Sequence, residues 1–120
     1  MLFRSEAVRT GTDALSKRVI DITAGIGDFA DTAALLRQLD LVITIDTAVA
    51  HLAGSLGLET WLLLPRMRDW RWDMAGHGCL WYPRVRSWRV AENLDWNSVL
   101  DQVRDALEIR MHQGFPALIA

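Results

Sequence analysis

Apolar residues occur along this chain in short runs divided by polar breaks, and the spacing within the runs switches between strand-like and helix-like periods. The stretch over 18–22, Arg18-Val19-Ile20-Asp21-Ile22, is rich in β-branched residues and reads as a short strand. Gly25 and Gly27 punctuate its exit. Asp28 or Asp31 then caps a helix carrying Ala33, Ala34, Leu35, Leu36 and Leu39, with the three leucines on one face. The run over 41–45 is almost continuously apolar, as a parallel strand covered on both faces requires. Positions 48–55 read as the next helix, ended by Gly57 in a left-handed conformation. Thr60-Trp61-Leu62-Leu63-Leu64 is a further strand, stopped by Pro65. After a long aromatic stretch over 66–84, positions 86–90 predict a last strand. Positions 95–110 predict an amphipathic helix with Trp96, Val99, Val103 and Leu107 facing inward. Positions 1–17 read as a weak lead-in helix or loop, and 111–120 as a tail without a signal.

Strand and helix alternate with short connections. That order predicts an α/β fold, a Rossmann-like parallel sheet with helices on both sides, over 18–110. In such sheets ligands bind beyond the carboxyl ends of the strands. The turns at 25–28, at Asp46-Thr47 and after Pro65 are therefore expected along one rim.

Composition narrows the picture further. At 120 residues the chain is one domain in length, and 51% hydrophobic with 23% charged residues is ordinary for a globular protein. A net charge of −2 disfavours a general nucleic-acid or membrane-surface binder. The single cysteine, Cys79, excludes a disulfide within the chain and suits a reducing, cytoplasmic setting. It reads as a bystander, because no nucleophile context surrounds it. No secretory apolar segment follows Leu2-Phe3, and no run is long enough to span a bilayer.

The segment Asp46-Thr47-Ala48-Val49-Ala50-His51-Leu52-Ala53-Gly54 carries the chemistry. A strand ends, a carboxylate follows, and a helix opens at a hydroxyl residue. The first turn of a helix has free N–H groups and a partial positive charge, and phosphates settle there. Small Ala48 lets a diphosphate approach the backbone. Asp46 can accept hydrogen bonds from sugar hydroxyls, and His51 shares the helix face of Thr47. The same residues also suit an ordinary N-cap followed by a packed histidine.

A second cluster joins Asp69-Trp70-Arg71-Trp72 to Trp81-Tyr82-Pro83. Between positions 66 and 89 six arginines stand against two aspartates, a local balance of +4 in an acidic chain. Arginine grips phosphate and tryptophan stacks on rings, which suits a ligand lip, a packed core with a solvated rim, or a single-strand nucleic-acid platform. The last lacks an extended basic groove elsewhere. Asp101 and Asp105 read as a solvated helix face.

Three segments together, 28–35, 39–43 and 46–54, resemble the C-terminal domain of glycosyltransferase family 9, the heptosyltransferase family. The likeness is closer to relatives appended to tetratricopeptide-repeat proteins, in which Asp-Trp-Arg-Trp and Trp-Tyr-Pro segments follow. Here these are Asp69 to Trp72 and Trp81 to Pro83. The resemblance implies the C-terminal half of a GT-B fold, a nucleotide-sugar donor as substrate, inverting transfer, and no metal or other cofactor. Carried over by residue, Asp46 would hold the donor sugar, and the backbone at Thr47 and Ala48 the diphosphate with His51 close by. The loop Gly27-Asp28-Phe29 would lie against the base, and Trp70, Arg71 and Trp72 at the lip.

The chain departs from that pattern in several places. The family's N-terminal acceptor domain and the general base it brings have no counterpart, the first strand of the C-terminal domain is expected to be missing, and Gly78-Cys79-Leu80 replaces the residues usual before Trp81. The chain is therefore expected to lack catalytic residues of its own and to be inactive alone, because an inverting displacement needs a base on the acceptor hydroxyl. A missing N-terminal domain or self-association is the expected protein partner. The competing reading is a non-catalytic interaction domain, whose unpaired sheet edge binds another chain.

Overall fold

Thr60-Trp61-Leu62-Leu63-Leu64 has no charged position to turn toward water, and in the computed structural model all five residues are buried in the middle of a sheet. The structure describes residues 20–65, 70–72, 79–90 and 95–113. Within them lie three strands, β1 (Val42–Ile45), β2 (Thr60–Leu64) and β3 (Val85–Arg89), and three α-helices, α1 (Phe29–Leu36), α2 (Ala48–Ser55) and α3 (Trp96–Gln113). The strand order is β1-β2-β3, and both pairings are parallel. Val42 stands opposite Thr60, and Thr60 opposite Val85. The protein is α/β, with the parallel sheet and flanking helices of a Rossmann-like half-fold.

The two faces of the sheet follow the two-residue period of its strands. Leu62, Leu64 and Val85 join Ala50, Trp72 and Cys79 on one face, with Tyr82 against them. Trp61, Leu63 and Trp88 point the other way, onto Val90 and onto Val99 and Val103 of α3. Beside the first cluster, Leu36 of α1, Val42 and Ala53 of α2 pack together with Leu39, Val49 and Leu52 around them.

Local chemistry sets the helix ends. The Asp28 carboxylate accepts from the Asp31 N–H at 2.9 Å, and the Asp31 carboxylate reaches back to the Gly27 N–H at 2.9 Å, so α1 opens on a reciprocal cap. Gly57 ends α2 at φ 69°, a conformation that costs a residue with a Cβ 1–2 kcal/mol as an order of magnitude. Asp95 accepts from the N–H groups of Asn97 and Ser98 and caps α3.

Two expectations are corrected. No strand forms over 20–22, the described part of the 18–22 run. The Asp21 carboxylate instead takes the backbone N–H and hydroxyl of Thr23, and Thr23–Gly25 closes a 3-10 turn. An aspartate inside a β-branched run offers the backbone this local alternative, and Ile20, 82% exposed, has little burial to lose by it. Trp96 does not face inward; it is 41% exposed at the first turn of α3, while Val99 and Val103 are buried. The last strand also begins at Val85 and ends at Arg89, one residue earlier than its apolar run suggests. Positions 111–113, expected in the tail, continue α3, and the segments 1–17 and 114–120 lie outside the described residues.

Candidate functional site

Chain direction fixes the geometry of the upper rim. Each parallel strand ends at the same side of the sheet, and α1 and α2 run back to the other side to feed β1 and β2. The openings of α1 and α2 and the exit from β2 at Pro65 therefore share the carboxyl rim, as the alternation of elements predicts.

The opening of α2 faces solvent: Asp46, Thr47 and Ala48 are all exposed. Thr47 occupies the N-cap position with extended backbone, but its hydroxyl makes no cap bond. The hydroxyl turns back to donate to the Ile45 carbonyl at 3.4 Å, and stands 3.5 Å from Thr44 Oγ1. The usual side-chain acceptor for the first-turn amides is thus directed elsewhere; the Ala50 N–H donates to the Thr47 carbonyl at 3.0 Å, and the Ala48 and Val49 N–H groups have no side-chain cap. The Asp46 carboxylate has no hydrogen-bond or ion-pair partner among the described residues.

Four residues on, about 6 Å along the axis, is His51. Cα–Cβ bonds in a helix tilt toward its N-terminus, so the His51 Cβ is inclined toward the mouth. It is half-buried in an aromatic cluster. The Trp72 ring lies 4.7 Å away between centroids at an interplanar angle of 30°, and Tyr82 meets His51 edge-on at 5.8 Å. His51 Nδ1 is 3.2 Å from the Tyr82 hydroxyl. A cavity of about 330 Å³ opens beside this pair, lined by His51, Arg71, Trp81 and Tyr82.

The structure thus distributes the residues singled out in the sequence over three places. Asp46, Thr47 and Ala48 form the mouth of α2. His51 and Arg71 line the cavity on its flank. Trp72 is 1% exposed and backs the His51 ring, rather than standing at an open lip, and its Nε1 has no hydrogen-bond partner among the described residues. Trp70 begins the 3-10 turn Trp70–Trp72, and its side chain lies outside the described atoms. Gly27 and Asp28 have their N–H and carboxylate engaged in the cap of α1, while Phe29 is exposed at its first position. None of these three lines the cavity.

Tyr82 was visible in sequence only as part of Trp-Tyr-Pro. Its pairing with His51 spans 31 positions, and spacing alone gives no sign of it. Cys79 is buried and donates to the Arg71 carbonyl at 3.6 Å, holding the turn that carries Arg71 and Trp72.

A larger cavity, about 770 Å³, lies at the amino ends of β2 and β3, among Glu59, Arg84, Arg86, Ile109 and Arg110. Glu59 and Arg110 satisfy one another there through two hydrogen bonds of 3.1 and 2.6 Å. That cavity is at the end of the sheet opposite the α2 mouth, and size alone does not make it the better candidate.

Among the described residues no three His, Cys, Asp or Glu side chains are grouped to hold a metal ion, and no helix is long and apolar enough to cross a membrane. No family model, no curated protein and no solved structure matches the chain.

Proposed function

We propose that this chain is a nucleotide-sugar donor-binding domain of an inverting glycosyltransferase of the GT-B kind, similar to family 9, that works with a second domain bringing the acceptor and the general base. The reading is carried by the open mouth of α2. A solvent-facing helix start whose N-cap hydroxyl is turned away attracts phosphate, and the adjacent Asp46 carboxylate is free to accept from sugar hydroxyls. His51 and Arg71 on the flank add donors for the same anion, and Trp81 adds a ring surface.

Titration of UDP-, GDP- and ADP-sugars against tryptophan fluorescence tests this. One of them is expected to bind at about 1 mM or better, which corresponds to roughly 4 kcal/mol. Asp46→Ala is expected to weaken the sugar nucleotide about tenfold while leaving the free nucleoside diphosphate unchanged, because a hydrogen bond to a charged group contributes roughly 1.5–3 kcal/mol. Silence toward every nucleotide at that concentration removes the reading.

A second reading has its own observation. Phe29, Ile45, Leu80 and Trp81 are each more than half exposed, and Phe29 and Ile45 sit at the carboxyl rim. Such exposed apolar side chains suit a protein partner. A non-catalytic interaction domain would self-associate or bind a protein while ignoring nucleotides, and light scattering after size exclusion separates it from a monomer that binds them.

A further inference from the structure

Tyr82 lies in an unusually constrained seat. A Cβ built on Gly54 would approach its ring to 2.5 Å, so the phenol fills the place where any other residue of α2 would carry a side chain. The ring cannot slide along the helix, and its hydroxyl is fixed 3.2 Å from His51 Nδ1. Trp72, its ring tilted 30° from the imidazole at 4.7 Å, lies against one flank of it. The other ring nitrogen, Nε2, has no partner among the described residues, and His51 borders the 330 Å³ cavity together with Arg71.

A neutral imidazole has one donor nitrogen and one acceptor nitrogen, and the bond made by one decides the state of the other. A phenol held against Nδ1 can donate its proton to that nitrogen, which places the ring proton on Nε2. We infer that Tyr82 is the positioning residue of the site: seated on Gly54, it keeps Nδ1 of His51 as an acceptor and presents Nε2–H to a diphosphate oxygen of a ligand entering from the mouth of α2. This rests on the donor-binding reading above, which requires a phosphate group at that position. Tyr82 also borders the cavity, but the role assigned to it here is exercised through His51.

The test uses the whole chain with ¹⁵N-labelled histidine. The sequence holds three histidines, and His51→Gln identifies the His51 signals. In the free protein Nδ1 is expected to resonate as an unprotonated acceptor and Nε2 as a protonated donor. Addition of UDP or of inorganic pyrophosphate is expected to shift the Nε2 resonance. Tyr82→Phe retains the ring on Gly54 and removes only the hydroxyl. It is expected to lower UDP affinity about tenfold and to leave His51 exchanging between tautomers, with the thermal midpoint little changed.

A protonated Nδ1 in the free protein overturns the inference, as does an Nε2 signal unmoved when UDP saturates, or Tyr82→Phe binding UDP as tightly as the parent. The two readings fail separately. If UDP moves His51 but UDP-glucose binds no tighter than UDP and Asp46→Ala has no effect, the donor reading falls and the role of Tyr82 stands. If the sugar contributes and His51 is silent, the role of Tyr82 falls alone. Absence of binding by every phosphate compound removes both.

Discussion

At the scale of single residues, the contact between Gly54 and Tyr82 is the most sharply testable. Alanine is better than glycine inside a helix by about 1 kcal/mol, so Gly54→Ala would stabilise α2 if nothing stood against it. Tyr82 does, at 2.5 Å from the new Cβ, and overpacking typically costs about 1–3 kcal/mol. Gly54→Ala is therefore expected to destabilise the protein, and the same change in a Tyr82→Ala background to stabilise it. Urea unfolding of the four proteins in that cycle checks the change of sign. At the opposite end of the sheet, the hydrogen bond from Arg110 holds the Glu59 carboxyl below its ordinary 4.5, against the opposing effect of burial, and the positive charges of Arg110 and Arg84 lower it further. The folded state then binds fewer protons at this group than the unfolded chain. Its contribution is complete above the ordinary value and is lost as the pH falls through the depressed one. Glu59→Gln is expected to lower the urea midpoint modestly at neutral pH, with the difference from the parent shrinking as the solution is acidified below 4.5.

The helices differ in how their openings are made, and the difference predicts opposite responses to one kind of substitution. Asp28 caps α1 through its carboxylate, so Asp28→Ala is expected to cost about 1 kcal/mol. Thr47 holds the same position in α2 but makes no cap bond, so Thr47→Ala is expected to cost only a few tenths of a kcal/mol, less than a functioning threonine cap would. Thermal unfolding of the two variants side by side separates a helix closed by its own side chain from one whose N-cap residue makes no such bond. The starts of α1, α2 and α3 follow the periodicity and capping residues of the sequence, but α1 stops at Leu36, short of Leu39, and α3 runs past position 110 to Gln113. The failed strand over 18–22 shows the limit of such reasoning. Its β-branched composition is genuine, but strand formation needs a neighbour, and within 20–22 the backbone is drawn into a turn by Asp21.

Over the whole molecule, stability is concentrated in β2, which is flanked on both edges and covered on both faces. Leu62, fully buried beside Ala50 and Trp72, is expected to lose roughly 2–5 kcal/mol on truncation to alanine. Loss of cooperative unfolding in that variant would show that no other cluster sustains the fold. The same sheet sets the site. Because all three strands run in one direction, the opening of α2, the opening of α1 and the exit of β2 face one side. The cavity of His51, Arg71, Trp81 and Tyr82 lies on the flank of α2 below that side.

Three things were determined by the sequence alone: the alternation of strand and helix, the parallel sheet it demands, and the position of Asp46, Thr47 and Ala48 at a helix mouth. Each depends on neighbours within a few positions, and periodicity and capping chemistry act over that range. The partnership of His51 with Tyr82, the burial of Trp72 behind it, and the seat that Gly54 leaves for a phenol were decided only by the tertiary structure. These link residues 21 to 31 positions apart, brought together when β2 and β3 pair, and no local pattern encodes which side chain will fill the space left by a glycine.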